Sequence, residues 1–529
     1  MARERRPQHE LDAVLSASHQ MAEDLPSPSK AYGHKPRRAW RLISACCMMV
    51  ACTLYAHLRL RSPILLPCVP ADELLSLVKP TILDAGGYQQ PGFMVWGGSV
   101  VRDRRDGRHH MFASRWPEEL GHGAWISSSE IVRAESVDGG AAGPFRFADV
   151  VLPRRGSRFW DGMTTHNPHV AYDEVRDQYV LFYIGTTYTF APPRDEAFTN
   201  RSQYETAWNG KRIGVATAPT PMGPWTRANA PILEPRSGLW DGGITSNPSA
   251  VFLPNGSVLL FYKSIKHPYP ERKAKKDAFY IGVASSHDGP RGPFVRLHDG
   301  PLRHDLGPTQ TAAAVATGHG GGGGGGGGGA QSAKEWQGGL RSVPLEDPYV
   351  WRCGQTLHML AKTMGKVRSL GLEMGELVYS HTTTHSDAAL RNWSTPVQAY
   401  HRRQLRLAPG VEVPLADADS ADADSDSAHA DADASADAHE ESATDATTAE
   451  AISRALRPFS AERLERPQLL FGGADGRVPS HGFFALLQLR NGTSRNVVMP
   501  FAPPPAMAKC GMAHTRVDAE MMRKFDCTP

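Results

Sequence analysis

From about residue 80 onward, short runs of alternating apolar and polar residues are punctuated by Gly, Pro, Asn and Asp, a pattern that predicts strands and tight turns. One unit recurs: an apolar strand, a turn, and a second strand ending in aromatic or polar residues. It reads VWGGSVVRDRRDGRHHMFASRW (95–116), HNPHVAYDEVRDQYVLFYIGTT (166–187), SNPSAVFLPNGSVLLFYKSI (246–265), EDPYVWRCGQTLHMLAKTM (346–364) and ERPQLLFGGADGRVPSHGFFALLQLR (465–490). Asp106–Gly107 and Asn255–Gly256 are hairpin-turn dipeptides. A second half-unit covers 131–152, 212–233 and 280–302, with Gly-Pro-aromatic at the same point each time (Gly143–Phe145, Gly223–Trp225, Gly292–Phe294); 377–397 is a degenerate copy. Four strands per unit and five units predict an all-β fold, a five-bladed β-propeller.

The flanks have a different pattern. Residues 1–41 are polar and read as a disordered cytosolic tail. Leu42 to Ala56 is uncharged, with Lys35, Arg37, Arg38 and Arg41 before it and Arg59 and Arg61 after it. That arrangement predicts a single transmembrane helix over 42–60, a type II signal anchor with the remainder lumenal in the endoplasmic reticulum or Golgi. A cleaved signal and secretion is the alternative. Residues 61–79 are a stem, 80–505 the propeller, and 506–529 a C-terminal tail. Insertions at 318–335 and 411–450 are a glycine run and an Asp/Ala/Ser tract, too poor in apolar residues to pack. N-x-Ser/Thr sequons at Asn200, Asn255, Asn392 and Asn491 all follow the expected anchor, so a glycoprotein is expected.

Composition changes the picture in two places. Gly 51 and Pro 41 suit a turn-rich β protein. The net charge of +3 is an average of unlike parts: 411–450 carries 13 acidic residues and no Lys or Arg, so the remainder balances to +16. That excess fits an anionic glycan partner and fits scattered surface arginine equally well. Seven cysteines include no C-x-x-C pair, so neither a zinc site nor any other metal or cofactor is expected. Cys510 with Cys527 would pin the tail, although connectivity is not legible. Nothing points to nucleic acid, and the chain reads as a monomer.

In a propeller the first strand of each blade lines the channel, so chemistry is sought where those strands open: GGSVV, HNPHV, SNPSA, EDPYV and ERPQL. Asn167, Asn247, Asp347 and Glu465 are expected to converge there. Two openings follow FWDGMTTHNP and LWDGGITSNP, which set Trp160–Asp161 and Trp240–Asp241 in equivalent loops. Aromatic, carboxylate and amide together suit a sugar ring; an Asp-Gly turn with Trp in the core is the structural alternative. His166 reads as a sugar contact or a satisfied channel histidine, and Arg115 beside Trp116 as a substrate contact or rim packing.

The openings, the Trp-Asp-Gly loops, Glu346–Asp347–Pro348 and Glu465–Arg466–Pro467–Gln468 resemble the five-bladed propeller glycoside hydrolases: the family 43 arabinanases and xylosidases, with families 32, 62, 68, 117 and 130. The resemblance spans roughly 80–500. Family 43 enzymes are inverting and draw a base, a modulating Asp and a general-acid Glu from successive blades. Where their first blade reads Asp-Pro, this chain has Gly97–Gly98–Ser99, and Asn167 and Asn247 follow in the next two. On this resemblance a glycosidase is expected, with Asp161 and Asp241 as base or positioning acid and Glu346 as general acid. Trp160, Trp240, His166, Asn167, Asn247, Asp347, Arg115, Glu465 and Arg466 would contact a carbohydrate substrate. A non-catalytic glycan-binding propeller, or a phosphorylase or transglycosidase of the same superfamily, stands as the alternative.

Overall fold

The computed structural model describes residues 81–190, 198, 200–306, 340–383, 386–400, 405–407, 457–459, 463–472, 478–487 and 494–501. The tail, the 42–60 segment, the stem, both low-complexity insertions, the C-terminal segment and Asn491 lie outside the described residues. Among the described residues no helix is long and apolar enough to cross a membrane.

The fold is all-β and propeller-like. Blade one comprises the strands Phe93–Arg102, His109–Pro117, Glu130–Ser136 and Phe145–Leu152. Blade two is Thr164–Asp173, Gln178–Thr186, Arg212–Ala218 and Thr226–Arg227; blade three is Ser246–Phe252, Val258–Ser264, Tyr280–Ser286 and Val295–Arg296. Blade four is Leu345–Cys353, Thr356–Thr363, Leu377–Thr383 and Val397–Tyr400. Every blade is an antiparallel meander. In blade five, Arg463–Gly472, Val478–Leu487 and Ser494–Pro500 are completed by Thr81–Tyr88 from the other end of the chain, antiparallel with Leu83 opposite Val498. Tyr88 also pairs with Phe145, so blades five and one share one sheet. That edge-to-edge closure leaves fewer strand groups unpaired.

The five first strands neighbour one another in a cycle that returns from blade five to blade one. Apolar side chains fill the spaces between blades. Val251, Phe261 and Val283 of blade three meet Val350, Met359 and Val378 of blade four, and Phe145 and Val95 of blade one meet Phe483 and Val498 of blade five. The recurring Gly-Pro-aromatic motifs sit before the fourth strands of blades one to three, each with a cis peptide bond. Asn255 accepts from Ser257 N at 3.1 Å in the exposed hairpin turn, and Asn200 caps the helix Arg201–Asn209 through Ser202 N at 2.8 Å. Asn392 is half-buried in a short strand. Cys353 is disulfide-bonded.

Candidate functional site

Each first strand carries the same defect at its opening. The register slips between Trp96 and Ser99, His166 and His169, Ser246 and Ser249, Glu346 and Tyr349, and Glu465 and Gln468. Inside each bulge one residue is left-handed: Gly97 (φ 57), Asn167 (φ 51), Asn247 (φ 49), Asp347 (φ 55) and Arg466 (φ 54). Asn and Asp tolerate that region better than most residues, and Gly tolerates it without cost. The following Pro in four blades needs no ladder donor.

These five positions form a ring across the centre. Asn167 Nδ2 donates to Asn247 Oδ1 at 3.4 Å, and Asn247 Nδ2 donates to Asp347 Oδ1. Arg466 N donates to Asp347 Oδ2 at 3.2 Å and its Nη1 reaches Oδ1 at 3.5 Å. Gly97 closes the circle: a Cβ there would lie 3.3 Å from Asn167 Oδ1 and 3.6 Å from Arg466 Cγ. Blade five gives Arg466 to the ring itself, while Glu465, expected to converge here, stands one position earlier with a carboxylate oxygen within 4.8 Å of those of Glu346 and Asp347. Ser99, His169 and Gln468 make a second layer, with Gln468 Oε1 accepting from Ser99 Oγ at 3.1 Å and 3.2 Å from His169 Nδ1. Burial pushes His169 down to about 4, so it stays neutral.

The residue before each ring position lies one step nearer the start of its strand. This layer holds Trp96, His166, Ser246, Glu346 and Glu465, and here the charges gather. Glu346 Oε2 accepts from Lys263 Nζ at 2.7 Å, and Lys362 Nζ lies 2.6 Å from Oε1. Lys362 also bonds Glu465. Both lysines sit at the end of a second strand, directly opposite Ser246 and Glu346 in register. Burial alone would raise the Glu346 carboxyl, but the two ammonium groups hold it well below the ordinary carboxylate range. Burial and the charge of Glu346 push Asp347 the other way, above its ordinary value, against the pull of Arg466. Two adjacent carboxyls are thus driven apart. Glu346, Asp347 and Glu465 each offer an oxygen within 4.8 Å of the others. They could ligate a cation, but Lys263, Lys362 and Arg466 already supply positive charge there.

Histidine and tryptophan border this layer. His166 stacks on Trp125 (centroids 4.6 Å, 26°) and its Nδ1 is 2.9 Å from Ser129 Oγ. Burial and the nearby Arg466 keep it neutral, well below its ordinary value. His122 packs edge-on to Trp96 at 4.8 Å and burial pushes it down to about 4.

The Trp-Asp-Gly loops follow the structural alternative. Asp161 is 0% exposed; Oδ1 takes Arg155 Nε at 2.7 Å, and Oδ2 takes Tyr183 OH at 2.7 Å and Arg227 Nη1 at 3.2 Å. Asp241 repeats this with Arg236 Nε at 3.0 Å, Tyr262 OH at 3.0 Å and Arg296. Trp160 stacks on Tyr183 at 6.0 Å against Gly214, and Trp240 on Tyr262 at 5.9 Å against Gly282. Both sets staple a loop to the fourth strand of its own blade. Every carboxylate oxygen of Asp161 and Asp241 accepts from an arginine or a tyrosine of its own blade or loop, a structural part in place of the base role expected, and Trp160 and Trp240 pack on Tyr183 and Tyr262 in place of the sugar platform expected. Arg115 is likewise structural. It bonds Glu130 at 2.9 and 3.0 Å and Gln90 at 3.0 Å, and packs over Phe93 and Phe147. The two ammonium groups on Glu346 favour its ionised form, which weighs against the proton-donor role that the resemblance implies.

No family model matches the chain, and no curated protein matches it. Solved structures with a similar backbone include glycoside hydrolases of several families. A family 117 glycoside hydrolase of Zobellia galactanivorans is 14% identical, covering 61% of this chain and 76% of its own, with TM-score 0.38. An endo-arabinase of Bacteroides thetaiotaomicron is 11% identical, covering 78% and 95%, with TM-score 0.38. The catalytic domain of a family 62 α-L-arabinofuranosidase of Coprinopsis cinerea is 11% identical, covering 80% and 96%, with TM-score 0.40.

Proposed function

We propose that this protein is a five-bladed β-propeller of glycoside-hydrolase type, whose carbohydrate substrate enters above the Asn167–Asn247–Asp347–Arg466 ring. One arrangement carries the reading: Glu346, Asp347 and Glu465 bring carboxylate oxygens within 4.8 Å of one another at the strand starts of blades four and five, where their charged neighbours push Glu346 down and burial pushes Asp347 up. Cleaving a glycosidic bond needs one ionised and one protonated carboxyl across it. Glu346 is the ionised partner, facing the positive charge that develops on the sugar. Asp347 is the carboxyl biased to keep its proton, and Glu465, tied to Lys362, orients a hydroxyl. Asn167 and Asn247 set the floor of the site, and His166 with Trp125 forms a neutral aromatic wall.

A second reading has an observation of its own. The position where the resemblance puts a base is Gly97, which supports a propeller that binds glycan without cleaving it. Residues 42–60 would anchor the chain in the early secretory pathway with the propeller lumenal; the disulfide at Cys353 supports an oxidising compartment.

The test is an incubation of the full chain with a panel of oligosaccharides and aryl glycosides, in water and in phosphate, followed by product analysis. Cleavage that Glu346→Gln abolishes supports the hydrolase reading, and phosphate dependence assigns phosphorolysis. Saturable binding without product supports the binding propeller. Neither binding nor cleavage of any sugar overturns both.

A further inference from the structure

Lys211 lies between the helix Arg201–Asn209 and the strand Arg212–Ala218. It is 2% exposed. Its Nζ sits 3.3 Å from the ring centroid of Trp208 and 5.5 Å from that of Trp125, the ring that carries His166 on its other contact. Among the described residues no carboxylate or carbonyl accepts a hydrogen bond from this ammonium. Lys263 and Lys362, by contrast, both reach Glu346.

Aromatic faces recover only part of the hydration that a buried ammonium loses. Burial, with Lys263 nearby, accordingly pushes the amine well below its ordinary value, and only Glu346 pulls it back. An apolar side chain would fill the same slot at less cost, so the charge at this position lacks a partner. The surroundings share that deficit. Lys263 and Arg272 flank the Phe279 ring at 4.6 and 4.2 Å. Arg466, 1% exposed, has Nε and Nη2 enclosed with no partner. The carboxyls here are already taken: Lys263 and Lys362 pair with Glu346, Lys362 with Glu465, and Arg466 with Asp347.

We propose that the sugar bound at this site carries an anionic substituent, a carboxylate or a sulfate ester, and that Lys211 is the residue that receives it. This rests on the carbohydrate reading of the site given above. A sugar ring entering between Trp125 and Glu346 brings its acidic group to the Nζ that no carboxylate or carbonyl among the described residues engages, and the neighbouring cations add to the attraction.

Isothermal titration of the full chain with three matched sets of oligosaccharides provides the test: hexuronate-ended, sulfated-hexose-ended and neutral-hexose-ended. The expected result is an affinity for one anionic set about tenfold or more above the neutral set, and loss of most of that ratio in Lys211→Met. The set that is preferred identifies carboxylate or sulfate as the substituent. Should Lys211→Met fail to fold, the ratio in the unaltered protein must still fall as salt is raised. Neutral sugars bound as well as both anionic sets would overturn the anionic assignment while leaving the sugar site standing. A ratio that Lys211→Met does not change would overturn the role of Lys211. Absence of binding to all three sets would overturn the carbohydrate reading itself.

Discussion

Lys362 stands directly opposite Glu346 in the antiparallel register of blade four, and its ammonium lies 2.6 Å from the carboxylate. Lys263 reaches the same carboxylate from blade three at 2.7 Å. A carboxylate held by ammonium groups from two blades is fixed in place and favoured in its ionised form, which makes Glu346 the pivot of the site. Its consequences separate the catalytic from the structural carboxyls.

If Glu346 works as an anion, Glu346→Gln slows aryl glycosides with good and poor leaving groups alike, by about 100-fold or more. Asp347→Asn falls by a similar factor only on substrates that need leaving-group protonation. Paired rates on the two substrate types distinguish the roles. A Glu346→Gln variant that spares activated substrates would return Glu346 to the position of general acid.

Asp161 and Asp241 belong to stability. Asp241→Asn leaves Arg236 and Arg296 without their shared partner and is expected to cost about 3–5 kcal/mol of unfolding free energy. Tyr262→Phe removes one hydrogen bond to the same carboxylate and costs about 1–2 kcal/mol. Denaturant unfolding of the two variants checks both the size and the order.

Acid should weaken the fold before it reaches the carboxylates. His122 and His169 have an ordinary value of 6.5 and are each held down to about 4 by burial. Below pH 6.5 the unfolded chain takes up protons that the folded chain refuses, so their contribution is complete above that pH. It is lost as pH falls toward 4. The two groups together account for a decline of several kcal/mol, about 3 kcal/mol each. Unfolding titrations between pH 7 and 4 check it, and His169→Gln should flatten the slope.

The strand repeat was legible because hairpin dipeptides, alternating runs and Gly-Pro-aromatic turns are local signals. The closure of blade five by Thr81–Tyr88 was not, since pairing between the two ends of a chain leaves no local mark. The chemistry divided in the same way. Repetition drew attention to Trp160–Asp161 and Trp240–Asp241, yet repetition also preserves a loop staple, and only the bonded arginines Arg155, Arg227, Arg236 and Arg296 reveal which it is. Lys263 and Lys362 were missed although FYKSI and LAKTM place them at the same step of the repeat. A lysine within an otherwise apolar strand, twice in register, was the available signal. Arg466 was named, but the bulge that bonds it to Asp347 and turns Glu465 to Lys362 depends on a left-handed residue that no sequence pattern announces.

The most direct test of the Glu346-centred site is a crystal structure of the full chain with a bound oligosaccharide. The expected result places the anomeric carbon within about 3–3.5 Å of a Glu346 carboxylate oxygen, above the Asn167–Asn247–Asp347–Arg466 ring and beside Trp125. A sugar seated instead on Trp160 or Trp240, with Glu346 still enclosed by its two lysines and untouched, would contradict it.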